Sequence, residues 1–496
     1  MKPHQVPLIA LLAGVVTSLN CPDYSSYSQE HHGPASSGKH ALAYQRPSPE
    51  CRTFTSPAVE DLVKNMTSVI SDPDLYRLFE NTYPNTLDTA IRWHGHAANN
   101  SAEELTFIIT GDIDAMWLRD SANQLQSYLP ILSLESEEDP IKDPIASLFR
   151  GAINLHARYL LTAPFCNSFQ PPIESGIQPP VNAAAPSDTV FPPYNPSEVF
   201  ECKFELDSLA AFLQLSTDYF ESTHDLAFFS SFQWIPAIQS LLSTAKAMTL
   251  PTYDPETGAV LPTAYSFSRQ TTRATETLAN DGLGSPVAAV GMVRSAFRPS
   301  DDATVWGFLV PANMMFARYL AGAALIVQDL GDKAPKGLAD EMTSFSKEVR
   351  EAVEKWGVVS VKTKNGTGEE TVYAYEVDGF GSAALMDDAN IPSLLAAPLF
   401  GYLAPGNAVY QRTRARILDQ GGNPYFMRGL VISSVGGPHV GPGMAWPMAS
   451  IVRAMTSEDD GEITEVLREV LGTTDGLGLI HESVNAFDAG KWTRQW

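Results

Sequence analysis

The amino-acid sequence predicts a mainly helical fold, an all-α domain that carries a few short strands in its loops. Apolar residues recur with a helical period about a dozen times after Pro57, which predicts about a dozen amphipathic helices. Strand-like runs such as Leu105–Ile109 and Val372–Tyr375 are short and scattered, so a parallel sheet alternating with helices is not supported. Helices of this number fit an (α/α)6 barrel, a toroid of six inner and six outer helices, and also a generic helical bundle. No internal repeat distinguishes the two.

Helical periodicity identifies each element in chain order. The predicted helices are Val59–Ile70, Ala115–Leu132, Pro144–Leu161, Phe204–Phe220, Leu226–Met248, Ala303–Ile326, Leu338–Trp356, Ile391–Tyr402, Ala408–Leu418, Ala445–Met455 and Ile463–Leu471. One long segment, Pro171–Pro196, is too rich in proline and small residues for a helix. We predict that it is a surface loop.

Composition indicates one large globular domain and excludes several kinds of partner. The chain has 496 residues, 44% of them hydrophobic, which is enough for a substantial core. With 57 acidic against 33 basic side chains, the formal net charge is −24, so the surface repels nucleic-acid phosphates and anionic lipid heads. We therefore expect neither nucleic acid nor a membrane as partner. A monomer is the default expectation. Residues 57–496 show no linker composition, which predicts a single domain.

The first 20 residues have the layout of a secretory signal peptide. Met1-Lys2 is followed by an apolar run from Val6 to Val16 and then by polar residues up to Asn20. The run is shorter than the roughly 20 residues that a membrane-spanning helix needs. We therefore expect residues 1–20 to be cleaved and the protein to be secreted. Three glycosylation sequons agree with that route: Asn65, Asn99 and Asn365.

The four cysteines also fit an oxidising compartment. Cys21 and Cys51 bracket a polar, turn-rich stretch, and Cys166 and Cys202 bracket a proline-rich one. Four cysteines allow three connectivities, of which we favour the local pairs 21–51 and 166–202. Residues 21–56 are then an arm held to the body by a disulfide. The cysteine spacing does not suit zinc.

Most charges are spread thinly along the chain, but a few loops concentrate acids, Trp, Gly and His. These loops are Thr110–Asp120, Phe297–Asp302, Tyr375–Gly379, Met386–Asn390, Val435–His439 and His481–Ser483. Carboxylates and Arg bind pairs of sugar hydroxyls, and aromatic faces cover the apolar side of a sugar ring. Hydrolysis of a glycosidic bond needs one carboxylic acid and one carboxylate. No metal-ligand motif is visible, and we expect no metal or other cofactor.

Asp301 and Asp302 have two interpretations. Ser300 is a good N-cap, and acids in the first turn of a following helix complement the helix dipole. Alternatively, two adjacent carboxyls beside Arg298 hold one proton at a raised pKa through like-charge repulsion, which suits a general acid. The sequence leaves both open.

The other motifs also have structural alternatives. Asp387 and Asp388 precede Asn390 and Pro392, so helix capping explains much of that motif. Glu482 is either an ordinary exposed glutamate or a catalytic carboxylate. Trp117, Arg119 and Asp120 stand together at the start of an amphipathic helix, where a surface salt bridge is the alternative to substrate binding. Glu205 and Asp207 lie off an apolar helical stripe, facing either a pocket or water.

Seven ordered motifs make the chain resemble glycoside hydrolase family 125, the exo-α-1,6-mannosidases. The resemblance runs from about residue 57 to the C-terminus. The motifs are TGDIDAMWLRDS (110–121), FELDSL (204–209), FRPSDDA (297–303), YEVDGFG (375–381), MDDANIPSLL (386–395), GGPH (436–439) and HES (481–483). It implies an (α/α)6 barrel that hydrolyses non-reducing-end α-1,6-linked mannose with inversion. The implied partner is a mannose-containing oligosaccharide or N-glycan.

The resemblance also implies roles for single residues. The general acid is Asp302 or Asp301, with Asp302 favoured, and the base is Glu482. Inversion requires the two carboxyls to lie roughly 6.5–9.5 Å apart, so that a water fits between base and sugar. The residues expected to bind substrate are Asp112, Trp117, Arg119, Asp120, Arg298, Asp387, Asp388, His439 and His481.

Three departures from the family pattern qualify this assignment. The family continues past Thr493-Arg-Gln-Trp496 with an aromatic-rich tail, so we expect a final segment to be missing. GGPH stands where Gly-Ser-Pro-His is expected, and the Pro171–Pro196 loop has the character of an insertion. A glycan-binding homologue without turnover is therefore one alternative. A glycosidase or phosphorylase of the same fold acting on another sugar, and a metal-dependent α-mannosidase, are the others.

Overall fold

Helices form most of the regular structure in the computed structural model, which describes residues 21–134 and 143–495. The predicted signal peptide, residues 1–20, lies outside the described residues. The helices of the described part are α1 (Tyr24–Tyr27), α2 (Pro57–Asn65), α3 (Pro73–Thr82), α4 (Leu118–Gln126), α5 (Leu129–Leu134), α6 (Pro144–Thr162), α7 (Leu206–Thr223), α8 (Leu226–Phe229), α9 (Trp234–Ala247), α10 (Ala279–Gly282), α11 (Val310–Leu330), α12 (Leu338–Ala352), α13 (Ala408–Ile417), α14 (Pro447–Met455) and α15 (Asp460–Gly472). The mainly helical prediction is confirmed.

Strands are more numerous than the sequence suggested. They are β1 (Ile91–Ala97), β2 (Asn100–Ile108), β3 (Met116–Trp117), β4 (Ser168–Phe169), β5 (Asp188–Phe191), β6 (Val199–Glu201), β7 (Ser266–Arg269), β8 (Phe308–Leu309), β9 (Val358–Lys362), β10 (Glu369–Tyr373), β11 (Glu376–Val377), β12 (Ala383–Ala384), β13 (Phe426–Arg428), β14 (Ser433–Val435), β15 (Met444–Ala445), β16 (Ser483–Asn485) and β17 (Asp488–Thr493). Many have two or three residues, too few for alternation to be visible in a sequence.

The strands pair antiparallel in small separate sheets. Two-stranded sheets are β1-β2, β5-β7, β9-β10 and β13-β14, and three-stranded sheets are β3-β4-β6, β8-β11-β12 and β15-β16-β17. Strands β3 and β8 lead directly into α4 and α11, and β6 comes four residues before α7. The sheets therefore fix the N-terminal ends of three core helices, where several of the predicted site residues lie.

The core is built around α7 and α11. Helix α7 packs against α4 and α11, and α11 also packs against α12. Residues 206–217 of α7 are all buried, because this helix has neighbours on every side. Among the described helices, Val310–Lys333 is long and apolar enough to cross a membrane, with a mean hydropathy of 1.4. Its most apolar window is 83% buried inside the protein, as in the core helix of a soluble protein.

Both predicted disulfides are present, Cys21–Cys51 and Cys166–Cys202. The first ties down the arm, residues 21–56, which also packs closely on the body. Arg46 Nε donates to Asp88 Oδ2 at 2.7 Å, and Ser36 Oγ donates to Asp74 Oδ1 at 2.6 Å. The arm is therefore fixed by buried polar contacts as well as by its disulfide.

Several predicted helix assignments differ from the structure. The predicted helices Ala115–Leu132 and Leu226–Met248 are each divided into two, α4 with α5 and α8 with α9. Residues 391–402 form consecutive turns, because Pro392 and Pro398 lack the amide hydrogens that a continuous helix needs. Helix α11 begins at Val310 instead of Ala303, since residues 303–309 form a β-bridge and strand β8. The acids at 301 and 302 therefore do not lie in a helical first turn.

Helix α6 crosses β2 so closely that only glycine fits at position 151. A Cβ at this position would collide with Thr106 Oγ1 and lie 2.8 Å from the backbone carbon of Leu105. Gly151→Ala should therefore lower the free energy of unfolding by about 1–3 kcal/mol, because the backbone must shift. Gly472→Ala, at the end of α15 with no atom within 4 Å of the new Cβ, is the matched control. Urea unfolding with equal midpoints for the two variants would contradict the close crossing.

Candidate functional site

A cleft with two adjoining cavities collects most of the predicted site residues. The inner lobe has a volume of about 530 Å³ and is lined by Arg119, Asp120, His481 and Glu482, among others. The outer lobe has a volume of about 770 Å³ and is lined by residues that include Asp302. The lobes share four lining residues, which mark their junction: Ile113, Trp117, Asp301 and His439.

Arg119 occupies a buried position between three elements. Strand β3 ends at Trp117, the N-cap of α4, so Arg119 and Asp120 lie in the first helical turn. Arg119 Nη2 lies 3.3 Å from Asp120 Oδ2, and its Nε lies 3.2 Å from Asp207 Oδ1. Trp117 packs edge-on against Phe200, with ring centroids 5.5 Å apart. Arg119 thus joins α4 to α7 and leaves Asp120 and Trp117 on the cavity wall.

Glu205 and Asp207 lie inside the protein. The sequence left open whether they face a pocket or water, and the structure excludes water. Their exposed fractions are 1% and 0%. Burial raises the pKa of Glu205 well above its usual range and raises the pKa of Asp207 to about 7, with Arg119 opposing in both cases. Glu205 accepts a hydrogen bond from Asn167 Nδ2 at 3.2 Å. The two acids form the polar floor behind Arg119.

The loop that carries Asp301 and Asp302 is a tight hairpin. Phe297 and Ala303 form an antiparallel bridge, and the Arg298 amide donates to the Asp302 carbonyl at 2.8 Å. Asp301 has a φ of 65°, in the left-handed region, so the two adjacent carboxyl groups turn in different directions. The helix-capping interpretation is therefore wrong: Ser300 Oγ donates to Asp388 Oδ2 at 2.8 Å instead of capping a helix.

The two carboxyl groups have opposite electrostatic environments. Burial opposes ionisation of Asp301, but Lys203 Nζ at 3.7 Å, together with Arg119 and His439, lowers its pKa below the usual value. Burial raises the pKa of Asp302, and the nearby Asp388 raises it further, although His439 at 3.9 Å opposes this. Asp302 Oδ2 is buried without a hydrogen-bond partner among the described residues. The environment therefore favours the protonated form of Asp302 over the protonated form of Asp301.

Glu482 faces the inner lobe from the sheet β15-β16-β17. Thr493 Oγ1 donates to its Oε2 at 2.9 Å, and Arg494 Nε lies 3.8 Å from its Oε1. Arg494 also reaches across the cleft to Asp112, with its Nη1 at 2.5 Å from Oδ2. The C-terminal strand thus holds Glu482 and links it to Asp112 in the outer lobe.

His481 lies beside Glu482 with a fixed ring. Its Nδ1 is 3.1 Å from the Arg494 carbonyl, and its ring stacks on Trp492 with centroids 4.2 Å apart. Burial lowers the pKa of His481, so the ring is neutral near pH 7. Its Nε2 has no hydrogen-bond partner among the described residues. The ring lines the inner lobe, and this nitrogen is its remaining hydrogen-bonding atom.

Arg298, Asp387 and Asp388 do not line either lobe. Arg298 Nε donates to Glu376 at 2.6 Å, which holds the hairpin from behind. Asp387 accepts the amides of Leu394 and Leu395, each at 2.9 Å, and burial raises its pKa to about 7. Asp388 accepts from Ser300 and from Asn390. The structure therefore places these predicted binding residues behind the wall, as supports for the loops.

Sequence reasoning missed three groups at the site. Lys203 follows Cys202, and its ammonium is the cation that faces Asp301. Arg494 belongs to the Thr-Arg-x-Trp motif near the C-terminus, which was not predicted to contribute a side chain to the site. Trp446 lines the inner lobe with an indole N–H that has no partner among the described residues. In the sequence, the cysteine next to Lys203 and the Thr-Arg-x-Trp motif around Arg494 are the features that could have indicated these two residues.

The described residues contain no cluster of three or more His, Cys, Asp or Glu side chains that suits a metal ion. The acids of the cleft instead pair with arginine, lysine, hydroxyl and amide groups. The site thus consists of organic acids and bases with free hydrogen-bonding atoms, which suits a neutral polyhydroxylated ligand.

Comparison with known proteins agrees with this geometry. Residues 72–496 match the sequence model of the metal-independent α-mannosidases, GH125. The Meiotically up-regulated gene 157 protein of Schizosaccharomyces pombe (strain 972 / ATCC 24843) is 43% identical over 477 residues, 96% of this chain and 89% of that protein. A metal-independent α-mannosidase structure from Streptococcus pneumoniae, in a non-productive substrate complex with α-1,6-mannobiose, is 30% identical. It covers 90% of this chain and 95% of its own, with a TM-score of 0.75.

Removing Arg119 should destabilise the protein in a pH-dependent way. Arg119→Ala leaves Asp207 buried without its cation, and we expect the free energy of unfolding to fall by about 3–5 kcal/mol at pH 8. At pH 5 the loss should be smaller, because a buried carboxyl with a raised pKa binds a proton there and needs no cation. Arg92→Ala, which breaks the more exposed Arg92–Asp114 pair at 2.7 Å, is the control, with an expected cost below about 1 kcal/mol. If urea titrations gave the same loss of unfolding free energy at pH 5 and pH 8, the pairing of Arg119 with Asp207 would be contradicted.

Proposed function

The chain belongs to glycoside hydrolase family 125, the metal-independent α-mannosidases, and we propose that it is an exo-acting, inverting enzyme that removes α-1,6-linked mannose from the non-reducing ends of glycans. The observation that carries this proposal is the pair of neighbouring carboxyl groups at the lobes: Asp301 lines their junction, and Asp302 lines the outer lobe beside it. A glycosidase without a metal needs a protonated and an ionised carboxyl at the scissile bond. Burial raises the pKa of Asp302, which favours its protonated form, whereas Lys203 lowers the pKa of Asp301.

In this proposal the terminal mannose occupies the inner lobe. Asp120 and Arg119 bind its hydroxyls, and His481 Nε2 donates to or accepts from another. The reducing-side sugar leaves through the outer lobe. The glycosidic oxygen then lies between the lobes, and Asp302 approaches it from the wall of the outer lobe. The linkage is taken from the α-1,6-mannobiose bound in the Streptococcus pneumoniae relative.

Hydrolysis then needs one proton transfer on each side of the sugar. Asp302 gives its proton to the glycosidic oxygen as the bond to the anomeric carbon breaks. Glu482 takes a proton from a water that attacks the opposite face of that carbon, which inverts the configuration. Asp302 ends as a carboxylate and Glu482 as an acid, and solvent restores both. Asp301, held as a carboxylate by Lys203, supports the positive charge that develops on the sugar ring.

Phosphorolysis is less well supported than hydrolysis. A phosphorylase needs cationic side chains that are available to phosphate. The cleft cations Arg119, Lys203 and Arg494 all lie within 4 Å of carboxylates. Phosphate would have to compete with these internal partners.

The proposal extends to architecture and location. We propose that residues 57–496 form an (α/α)6 barrel, since helices dominate and the family relative superposes over most of the chain. Two disulfides suit the secretory pathway, where mannose-rich glycans are available as substrates. We expect the enzyme to act there or outside the cell, as a monomer.

The direct test is proton NMR of α-1,6-mannobiose hydrolysis. The unmodified protein should release β-mannose first, and Asp302→Asn and Glu482→Gln should each lower kcat by about 10²–10⁴-fold. Asp332→Asn, an exposed aspartate outside the cleft, is the matched control and should retain activity. Early α-mannose would exclude inversion, and no turnover by the unmodified protein would leave a binding function.

The pH profile should report the charge environment of Asp302. Activity must fall as the pH rises through the pKa of this acid. Asp388→Asn removes a charge that raises this pKa, so the alkaline limb should move to lower pH. His439→Ala removes a group that lowers it, and the limb should move to higher pH. If the alkaline limb of the kcat/KM profile moved in the same direction for both variants, Asp302 would be excluded as the general acid.

Chelation should leave the activity unchanged. Because the proposed steps use only carboxyl groups, dialysis against EDTA should not alter kcat/KM for mannobiose by more than about twofold. A loss restored by calcium, zinc or another divalent ion would show a metal requirement and contradict the proposed chemistry.

A further inference from the structure

The outer lobe is larger than the inner lobe, about 770 Å³ against 530 Å³. In the proposed function, the inner lobe takes one terminal mannose. A disaccharide has a single further sugar, which lies next to the junction and occupies the near part of the outer lobe. Much of the outer lobe therefore remains unfilled by a disaccharide.

Two segments form the far walls of the outer lobe. One wall is Asp23–Ser25, at the beginning of the arm, and the other is Pro180–Ala184 in the Pro171–Pro196 loop. The arm lies outside the residues that match the family model, 72–496. The outer lobe thus includes surface that the family core does not provide.

Both walls are held in place. The arm is tied by Cys21–Cys51, and Gln495 Nε2 donates to the Ser25 carbonyl at 2.6 Å. In the loop, Asn182 Nδ2 donates to the Phe200 carbonyl at 2.9 Å, and Gln170 Nε2 donates to the Pro180 carbonyl at 3.1 Å. Walls that are fixed before binding lower the entropic cost of ordering a long ligand.

The charges of the outer lobe indicate a neutral ligand. Arg92 pairs with Asp114 at 2.7 Å, and Arg273 pairs with Glu276 at 3.2 Å. Arg269 Nε lies 2.6 Å from Asp188, which is outside the lobe. The lining carboxyl groups outnumber the lining cations: Asp23, Asp112, Asp114, Glu201, Glu276, Asp301 and Asp302 against Arg92, Lys203, Arg269 and Arg273. A phosphorylated or carboxylated saccharide would be repelled, whereas hydroxyls can bond to both charge types.

We propose that the outer lobe is an extended binding site for the leaving part of a neutral mannooligosaccharide, at least two sugars beyond the scissile bond, with the arm and the proline-rich loop as its walls. This inference rests on the proposed hydrolysis at the junction. Trp117, whose ring reaches the junction and whose Nε1 has no partner among the described residues, begins the path of the leaving chain. Binding energy from the remote sugars then accelerates cleavage of the terminal bond.

The test compares kcat/KM for α-1,6-linked mannotetraose and mannobiose, which share the same terminal bond. The unmodified protein should favour the tetrasaccharide by at least about tenfold, equivalent to about 1.4 kcal/mol of additional binding. The ratio of the two values cancels any effect on the chemical step that both substrates share.

Three variants test whether the two walls of the outer lobe produce the preference for the tetrasaccharide. Ala183→Trp narrows the loop wall, and the double variant Cys21→Ser/Cys51→Ser releases the beginning of the arm, so each should reduce the ratio at least threefold. The arm should stay folded without its disulfide, because Arg46 and Ser36 keep their contacts with Asp88 and Asp74. Ile173→Trp is the matched control, in the same loop, 91% exposed and on neither lobe, and should leave the ratio unchanged.

The possible failures are distinguishable. Hydrolysis of both substrates with equal kcat/KM would overturn the extended site and leave the proposed function intact. An unchanged ratio in both wall variants would also overturn it. Hydrolysis of neither substrate would overturn the proposed function, and the extended site with it.

Discussion

The buried ion pair between Arg119 and Asp207 is the interaction on which the rest of the site depends. A guanidinium at the start of α4 lies 3.2 Å from a carboxyl in the first turn of α7, and both side chains are largely removed from water. Moving either charge out of water is costly unless its partner stays in place. The two helices are therefore held in one relative position, and the short sheet β3-β4-β6 fixes the strands that lead into them.

The positive charge at this position has effects beyond the pair. Arg119 and Lys203 together keep Asp301 ionised, although the surroundings are dry enough to disfavour a carboxylate. Asp302 differs: the left-handed backbone of Asp301 turns the chain, and burial together with the charge of Asp388 raises the pKa of Asp302. The pKa values of two adjacent residues of one type are thus shifted in opposite directions by burial and non-local charges. A raised pKa is what a general acid requires near neutral pH.

Local patterns in the sequence predicted the elements that depend on local physics. The helical repeats of α6, α7 and α12, the existence of α11 and the pairing of nearby cysteines were correctly predicted, because periodicity and chain separation determine them. The hairpin at residues 297–303 was not, since Ser300 before two acids has the pattern of a helix cap. Its conformation is set by Glu376, 78 residues away from Arg298, and by Asp388. Glu205 and Asp207 were left undecided for the same reason: their partner Arg119 is distant in sequence.

The outer lobe depends indirectly on the same charged side chains. Lys203 stands between Asp301 and the wall residue Glu201, and Arg494 connects Asp112 with Glu482, so the binding surface and the reacting groups share side chains. The arm contributes Ser25 to that surface, where the C-terminal Gln495 holds it through a hydrogen bond, and no described residue of the arm lines the inner lobe. In our proposal the arm and the proline-rich loop recognise substrate length, while Asp302 and Glu482 carry out the chemistry.

The most direct measurement is a crystal structure of the Glu482→Gln variant with α-1,6-linked mannotetraose. We expect the non-reducing mannose in the inner lobe against Arg119 and Asp120, the first glycosidic oxygen within hydrogen-bond distance of Asp302, and the remaining sugars along the outer lobe. A chain bound in the opposite direction, or a scissile oxygen nearer to Asp301 than to Asp302, would contradict the assignment of the two lobes and of the acid.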